Sequence, residues 1–379
     1  MVLKGITWDH PRGYEPLVAA AVQYEKIYGI RIEWQKRSLA LFGDQSIEEL
    51  SRKFDLLVVD HPHVGTMAHT GYISPINNWI SNNEIASLKL ASGEPSFSSY
   101  LYKEHQWALP VDAAFQTAAY RNDLLPQPPL LQNWEQVLDL AKALRKIKLN
   151  MGMALSPTDC LCSFLSLTAQ LGSPIREGNK MLVDPKIGHQ ALALLRQLRD
   201  MVHEKSLDWN PIQLYDQMSE QDEIAYSPLG FCYSNYSRLG FRKKLLSFIN
   251  PPGTRQAVLG GAGIAVSSSS MYKREAAQFV FWVCSDEIQN DLYVLFQGQP
   301  AHQKTWKDER ANRITNNFFS QCIEGLQSAY IRPRYHGWPT FQQSMGEIIH
   351  EFLVNDMEIN YVLNILQEKY RESFPESLS

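Results

Sequence analysis

The sequence predicts an α/β protein of two domains, and three observations carry that expectation. A chain of 379 residues is too long for one ordinary hydrophobic core, and its 44% hydrophobic content is enough to fill two. Strand-like apolar runs alternate with helical patterns from the N-terminus onward. Past residue 112 a second alternation of the same kind begins.

The first elements are set directly by residue pattern. "VLKGITW" at 2–8 reads as an apolar strand. Residues 13–28 read as a helix, because Tyr14, Leu17, Val18, Ala21, Val22 and Tyr28 share one 3.6-residue face and Gly29 stops it. "IRIEW" puts Ile30, Ile32 and Trp34 on one side, as a half-buried strand does. A short helix near 45–53 leads to "FDLLVVD", the continuous apolar run of a strand covered on both faces. Strand, helix, strand, helix, strand argues for parallel pairing through right-handed crossovers, and in such sheets ligands gather beyond the carboxyl ends of the strands. Two Asp-His-Pro tripeptides, in "WDHPRG" at 8–13 and "VVDHPHVG" at 58–65, come directly after the first and third of these strands, so both are expected at that end.

In the second run, Asn133 with Gln136 resembles a capping box, and Trp134, Val137, Leu138, Ala141 and Leu144 give the helix behind it an apolar face. "MGMAL" at 151–155 is a strand candidate and 158–171 a helix ended by Gly172. Asp184 as N-cap with Pro185 at the first helical position starts a helix to about 203, with Ile187, Ala191, Leu194, Leu195, Leu198 and Val202 inward. Strands are expected at 223–228 and 263–266, and helices near 271–284, 286–297, 340–354 and 358–371. The Pro- and Gly-rich stretch at 251–256 is the best linker candidate.

Composition sets limits on function. The net charge is -4, from 36 basic and 40 acidic residues, with no run of like charge, so no basic stripe offers itself to nucleic acid. The five cysteines, at 160, 162, 232, 284 and 322, form neither a disulfide framework nor a zinc knuckle. "MVLKGITWDH" lacks the charged start, apolar stretch and cleavage site of a secretory signal, and no run of about 18 apolar residues occurs, so the expectation is a soluble chain without an export address. "GGAG" at 260–263 precedes a strand and lacks the other residues of a phosphate loop, and no Gly-x-Ser-x-Gly elbow is present.

The stretches "FDLLVVDHPHVGTMAHTGYISPINNWI", "HQWALPVDAAFQTAAYRNDLL", "NWEQVLDLAKAL" and "GGAGIAVSSSSMYKREAAQFVFWVCSDEIQNDLYVLFQGQPAHQ", taken in this order, together resemble the extracellular solute-binding proteins that serve bacterial ABC importers, in particular the type with maltose-, polyamine- and iron-binding members. "FDLLVVDHPHVGTMAHTGYISPINNWI" is similar to their strand ending in Asp, a helix, then Gly-aromatic-x-x-Pro-Ile. "HQWALPVDAAFQTAAYRNDLL" resembles their crossing segment, "NWEQVLDLAKAL" their Trp-started helix, and "GGAGIAVSSSSMYKREAAQFVFWVCSDEIQNDLYVLFQGQPAHQ" their return segment. The resemblance implies a periplasmic-binding-protein-like fold of two α/β lobes. Each lobe would hold a mostly parallel sheet flanked by helices, with a ligand cleft between the lobes. It divides the chain into 1–111 plus 257–303 and 112–256 plus 304–379. It further implies capture of a small polar solute, carbohydrate-like, by hinge closure, with ABC permease membrane subunits as partners, no catalytic residues and no cofactor. Family members are exported, so the implied location is periplasmic or extracellular; the missing signal keeps a cytoplasmic one as the alternative.

Carried onto this chain, the resemblance points to loops holding Trp8, Asp9, His10, Arg12, Tyr14, Arg37, Asp60, His61, His63, Asp112, Phe115, Tyr233, Tyr236, Gly261 and Trp338 as ligand-binding candidates. Such residues suit a polar ligand held by hydrogen bonds and stacked on aromatic faces. The basic members, with Arg334, leave an anionic solute open. Asp9, His10, Asp60, His61 and His63 could also be metal ligands of an enzyme on the same fold, or Asp9 and Asp60 could simply cap the next helices while Pro11 and Pro62 fix the turns. A ligand sensor inside the cell is a third reading. Tyr233 and Tyr236 are alternatively core aromatics, and Trp338 alternatively a surface clamp.

Overall fold

A computed structural model describes residues 1–254 and 256–374; of the linker candidate, Arg255 lies outside the described residues. The elements that build its sheets are, in chain order, β1 (Val2–Trp8), α1 (Pro11–Tyr28), β2 (Arg31–Arg37), β3 (Leu56–Val59), α2 (Val64–Thr70), β4 (Ile73–Ser74), β5 (Leu109–Tyr120), α3 (Trp134–Lys146), β6 (Asn150–Met151), α4 (Pro157–Gln170), α5 (Pro185–Met201), α6 (Pro211–Glu220), β7 (Ile224–Phe231), β8 (Ser247–Ile249), β9 (Leu259–Ser267), α7 (Lys273–Val283), α8 (Trp338–Asn355) and α9 (Ile359–Glu372). The chain forms two compact units: Met1–Ala114 with Gly260–Asn312 and Arg334–Pro339, and Phe115–Leu259 with Arg313–Pro333 and the segment from Thr340. β5 and β9 each carry the chain from one unit to the other, and it passes again after Asn312, Pro333 and Pro339.

In the first unit β1 pairs in parallel with both β2 and β3, as the strand-helix-strand order requires, and β9 closes the set antiparallel to β3 and β4. Leu56, Leu57, Val58 and Val59 are all buried, which is why β3 reads as an unbroken apolar run. The inward stripe of α1 is Leu17, Ala20, Ala21 and Tyr24, whereas Val22 and Tyr28, expected inside, are about half exposed. The helix begins at Pro11 and seats Gly13 against the Trp8 ring, where a Cβ would fall 2.3 Å from Cε2, and that contact fixes which stripe faces the sheet.

In the second unit β6 is parallel to β7, while β5 runs antiparallel to β7 and β8. Asn133 caps α3 through its Oδ1, which accepts from Gln136 N over 2.9 Å, while Gln136 Oε1 accepts from Gln132 N over 2.7 Å. Asp184 caps α5 on the amides of Lys186 and Ile187, as its position before Pro185 implies. Of "MGMAL" only Met151 lies in β6; Gly152 N still donates to Tyr226 O of β7 at 2.9 Å, and residues 152–155 then run buried toward the start of α4. The helix expected at 286–297 is broken at Asp291, whose φ of -119° and ψ of -85° are not helical. All five cysteines are buried.

Candidate functional site

The strand-end site of the first unit begins with register. β1 pairs Gly5 with Leu56 and Ile6 with Leu57, a 51-residue offset that Lys4 and Asp55 share. The same offset separates Asp9 from Asp60, His10 from His61 and Pro11 from Pro62. The two Asp-His-Pro turns therefore leave neighbouring parallel strands at one level, and adjacent strands lie about 4.8 Å apart. Their convergence is a consequence of strand pairing.

Each turn starts a helix, but with a different residue. In the first, His10 is the N-cap of α1: Arg12 N donates to its Nδ1 over 3.1 Å, which leaves the ring proton of the neutral form on Nε2. Asp9, exposed, instead pairs with Lys36 at 2.7 Å, and that hydrogen bond raises the Lys36 pKa. In the second, Asp60 caps a single 3₁₀ turn, its Oδ1 accepting from His61 N over 2.8 Å and lying 3.2 Å from His61 Nδ1. His61 is fully buried, and His63 meets the carbonyl of Gly43 through Nε2 at 2.9 Å.

The surrounding side chains fix these turns. Arg12 makes a two-pronged ion pair with Asp112, Nε to Oδ2 at 2.8 Å and Nη2 to Oδ1 at 2.5 Å, with both side chains almost wholly buried. Burial pushes the Asp112 carboxyl up and the guanidinium pulls it back. Gly261 stands against this strand with φ +101°; a Cβ there would fall 2.4 Å from the Asp112 carbonyl oxygen, so the position requires glycine. Trp8 is buried beside Phe42 at 5.3 Å between ring centres, and Lys36 lies 5.0 Å over the half-buried Tyr14 ring. Arg37 donates from Nη2 to Val58 O at 2.8 Å and lies 5.4 Å over Phe42; burial lowers its pKa to about 10, so it stays charged at neutral pH. Its Nη2 hydrogen bond is spent on the scaffold.

The segment 334–339 belongs to this unit. Its backbone lies on α2, where a Cβ on Gly65 would fall 1.8 Å from Arg334 O, and Arg334 Nη1 donates to the carbonyls of Ser98, Ser99 and Leu101. Trp338, fully buried, meets the Tyr335 ring edge-on.

The other candidates lie in the second unit. Phe115 is buried beneath Gly325, and its carbonyl accepts from Cys232 N at 3.1 Å, which fastens the loop after β7. On that loop Tyr236 donates to Asp216 at 2.8 Å and Tyr233 packs on Tyr215 and Tyr236. Residue pattern did not single out Ser156 and Asp159, which come after β6 on the strand parallel to β7 and so leave from the same end. The available signal was Ser-Pro-x-Asp directly behind an apolar run, a helix start with a carboxyl in its first turn.

Chemically, both strand-end regions offer hydroxyls, carboxylates and bases with a fixed orientation beside aromatic faces. Among the described residues, no group of three or more His, Cys, Asp or Glu is gathered as a metal site would need, and no helix is long and apolar enough to cross a membrane.

Residues 19–305 match the family model described as bacterial extracellular solute-binding protein. No curated protein matches the sequence significantly. Among solved structures, an ABC transporter solute-binding protein from Agrobacterium radiobacter K84 in complex with ribitol is similar with a TM-score of 0.84 at 18% identity, over 99% of each chain. One from Thermotoga lettingae TMO bound with α-D-tagatose gives 0.81 at 17%, covering 98% of this chain and 99% of that one. Maltose-bound MalE3 from T. maritima gives 0.82 at 16%, covering 98% of this chain and all of the other. The likeness in fold spans the whole molecule, the family model spans most of the sequence, and the chain belongs to the bacterial extracellular solute-binding proteins.

Proposed function

We propose that this protein is the substrate-binding component of an ABC importer, that it captures a carbohydrate-like solute by hinge closure, and that it delivers the solute to the membrane subunits of a permease outside the cytoplasm. The observation that carries the reading is the register of the two Asp-His-Pro turns, which gathers polar side chains and Trp8 at the carboxyl ends of parallel strands in a chain of this family. The sugars and polyol held by the similar structures support the solute class. In this reading Asp9, His10, Tyr14, Asp60 and His61 supply first-unit contacts, Arg12, Arg37, His63, Asp112, Gly261 and Trp338 hold their loops, and Phe115, Tyr233 and Tyr236 shape the second unit's share. The protein does no chemistry on its solute.

The test is a thermal-shift and calorimetric screen of ribitol, tagatose, maltose and related sugars. A solute at one hundred times its dissociation constant adds about 2.7 kcal/mol of stability. Stabilisation by one of them and by no amino acid or amine is the expected result; a screen in which no carbohydrate moves the melting point ends the proposal.

A further inference from the structure

The second unit carries a carboxyl that its own fold does not neutralise. Asp159 lies in the first turn of α4, is 6% exposed, and among the described residues its carboxyl has one hydrogen bond, from Ser156 Oγ to Oδ2 at 2.6 Å. Burial pushes its pKa up to about 7 against the pull of Ser156, and no basic group contributes. Burial first, and the charge of Asp159 as a lesser cause, raise Cys160 on the same helix and Tyr215 on α6; α8 meets this helix start through Gly346 against the Pro157 carbonyl. Tyr215 supplies the independent observation. It is fully buried, among the described residues its hydroxyl has no hydrogen-bond partner, and that oxygen lies 2.7 Å from where a Cβ on Gly230 of β7 would stand. The Tyr233 ring packs beside it. A buried carboxyl and a buried phenol, each with bonding capacity unspent, weaken a fold unless something else uses them.

We propose that Asp159 and Tyr215 form a specificity-determining subsite of the second unit, in which the carboxyl accepts hydroxyl hydrogens from a neutral polyhydroxylated solute and turns anionic solutes away. The inference rests on the solute-binding reading above and narrows it. A carboxylate has four lone-pair sites and only one is taken, so it can receive two adjacent hydroxyls of a sugar, with the phenol completing the set. A solute carboxylate or phosphate brought within about 5 Å in a closed, low-dielectric site meets like charge. The bland alternative is that the carboxylate serves α4 itself, since the start of a helix favours negative charge.

Two arms separate these. Without solute, Asp159→Asn removes a group whose folded pKa is raised; the stability it withholds is present at low pH and is lost as pH rises through about 4 to 7. The variant is therefore expected to melt about 2–4 °C above the wild type at pH 8, with the gain shrinking toward pH 5. Lower melting of the variant at pH 8 assigns the carboxylate to the helix start and overturns the proposal. In the second arm, at pH 8 where the Asp159 carboxyl is ionised, glucose with gluconate, galactose with galacturonate and xylitol with xylonate are compared by calorimetry. The wild type is expected to bind a neutral member more tightly than its acid, with Asp159→Asn and Tyr215→Phe each weakening that neutral member about 10- to 100-fold and Asp159→Asn narrowing the gap. Preference for the acids, or unchanged affinity in both variants, overturns the subsite while leaving solute capture intact. Silence from all six compounds overturns the subsite, and the carbohydrate reading falls with it only when ribitol, tagatose and maltose are silent as well.

Discussion

The turns after β1 and β3 share the tripeptide Asp-His-Pro and the same level in the sheet, yet they are built differently. In the first, histidine caps a helix of 18 residues and Asp9 is left at the surface; in the second, Asp60 caps a 3₁₀ turn of three residues, and the histidines of both turns are buried. The difference arises at the residue after each proline. Arg12 and His63 hold these equivalent places, but Arg12 reaches the buried Asp112 and draws α1 down onto the sheet, whereas His63 reaches a loop carbonyl. A repeated motif thus fixes where a loop leaves the sheet, while the partner of the next long side chain fixes which atom of the motif is available.

The largest test of that contrast is Asp112→Ala. It takes the carboxylate away from the buried Arg12 guanidinium and is expected to cost about 3–5 kcal/mol in denaturant unfolding. His63→Ala, at the equivalent place in the second turn, is expected to cost clearly less; equal losses would mean that the ion pair is not what distinguishes the turns. A smaller effect separates the aspartates. Asp60→Ala loses a cap worth about 0.5–2 kcal/mol, whereas Asp9→Ala breaks an exposed pair and stays within about 0.5 kcal/mol. The reverse order would put the cap of the first turn back on Asp9. The smallest effect concerns the segment behind α2. His336 stacks on His69 with ring centres 4.1 Å apart, and burial together with His69 lowers its pKa. A base with a lowered folded pKa keeps its contribution above the unfolded value of 6.5 and loses it as pH falls below. Amide exchange at 335–337, corrected for intrinsic rates, should therefore quicken between pH 7 and 5.5 in the wild type and change little in His336→Gln; identical profiles would remove the stacked pair from any role in holding the segment.

Legibility in the sequence depends on the range of the interaction concerned. β1, α1, β2 and β3 are visible because burial imprints a period on neighbouring residues, and the caps of α3 and α5 because Asn133 and Asp184 act within three positions. The level shared by Asp9 and Asp60 is expected from parallel pairing, but the cap on His10 depends on a rotamer and leaves no mark. Asp159 escapes notice because one buried carboxyl does not alter a period, and Tyr236 gives no sign of Asp216, 20 residues earlier on another element. The return of 334–339 to the first unit rests on Gly65, whose missing side chain makes the contact and is silent in any hydrophobic pattern.

The five buried thiols have a practical side. Burial pushes the pKa values of Cys160, Cys284 and Cys322 upward, and a thiol that is both shielded and protonated is a poor target for maleimide or iodoacetamide. The native molecule should therefore stay dark in a labelling reaction. A single cysteine at Leu239 or Met271, 87% and 89% exposed, would then carry a fluorophore alone, and the protein could be turned into an optical reporter of its own occupancy without first stripping out its natural cysteines.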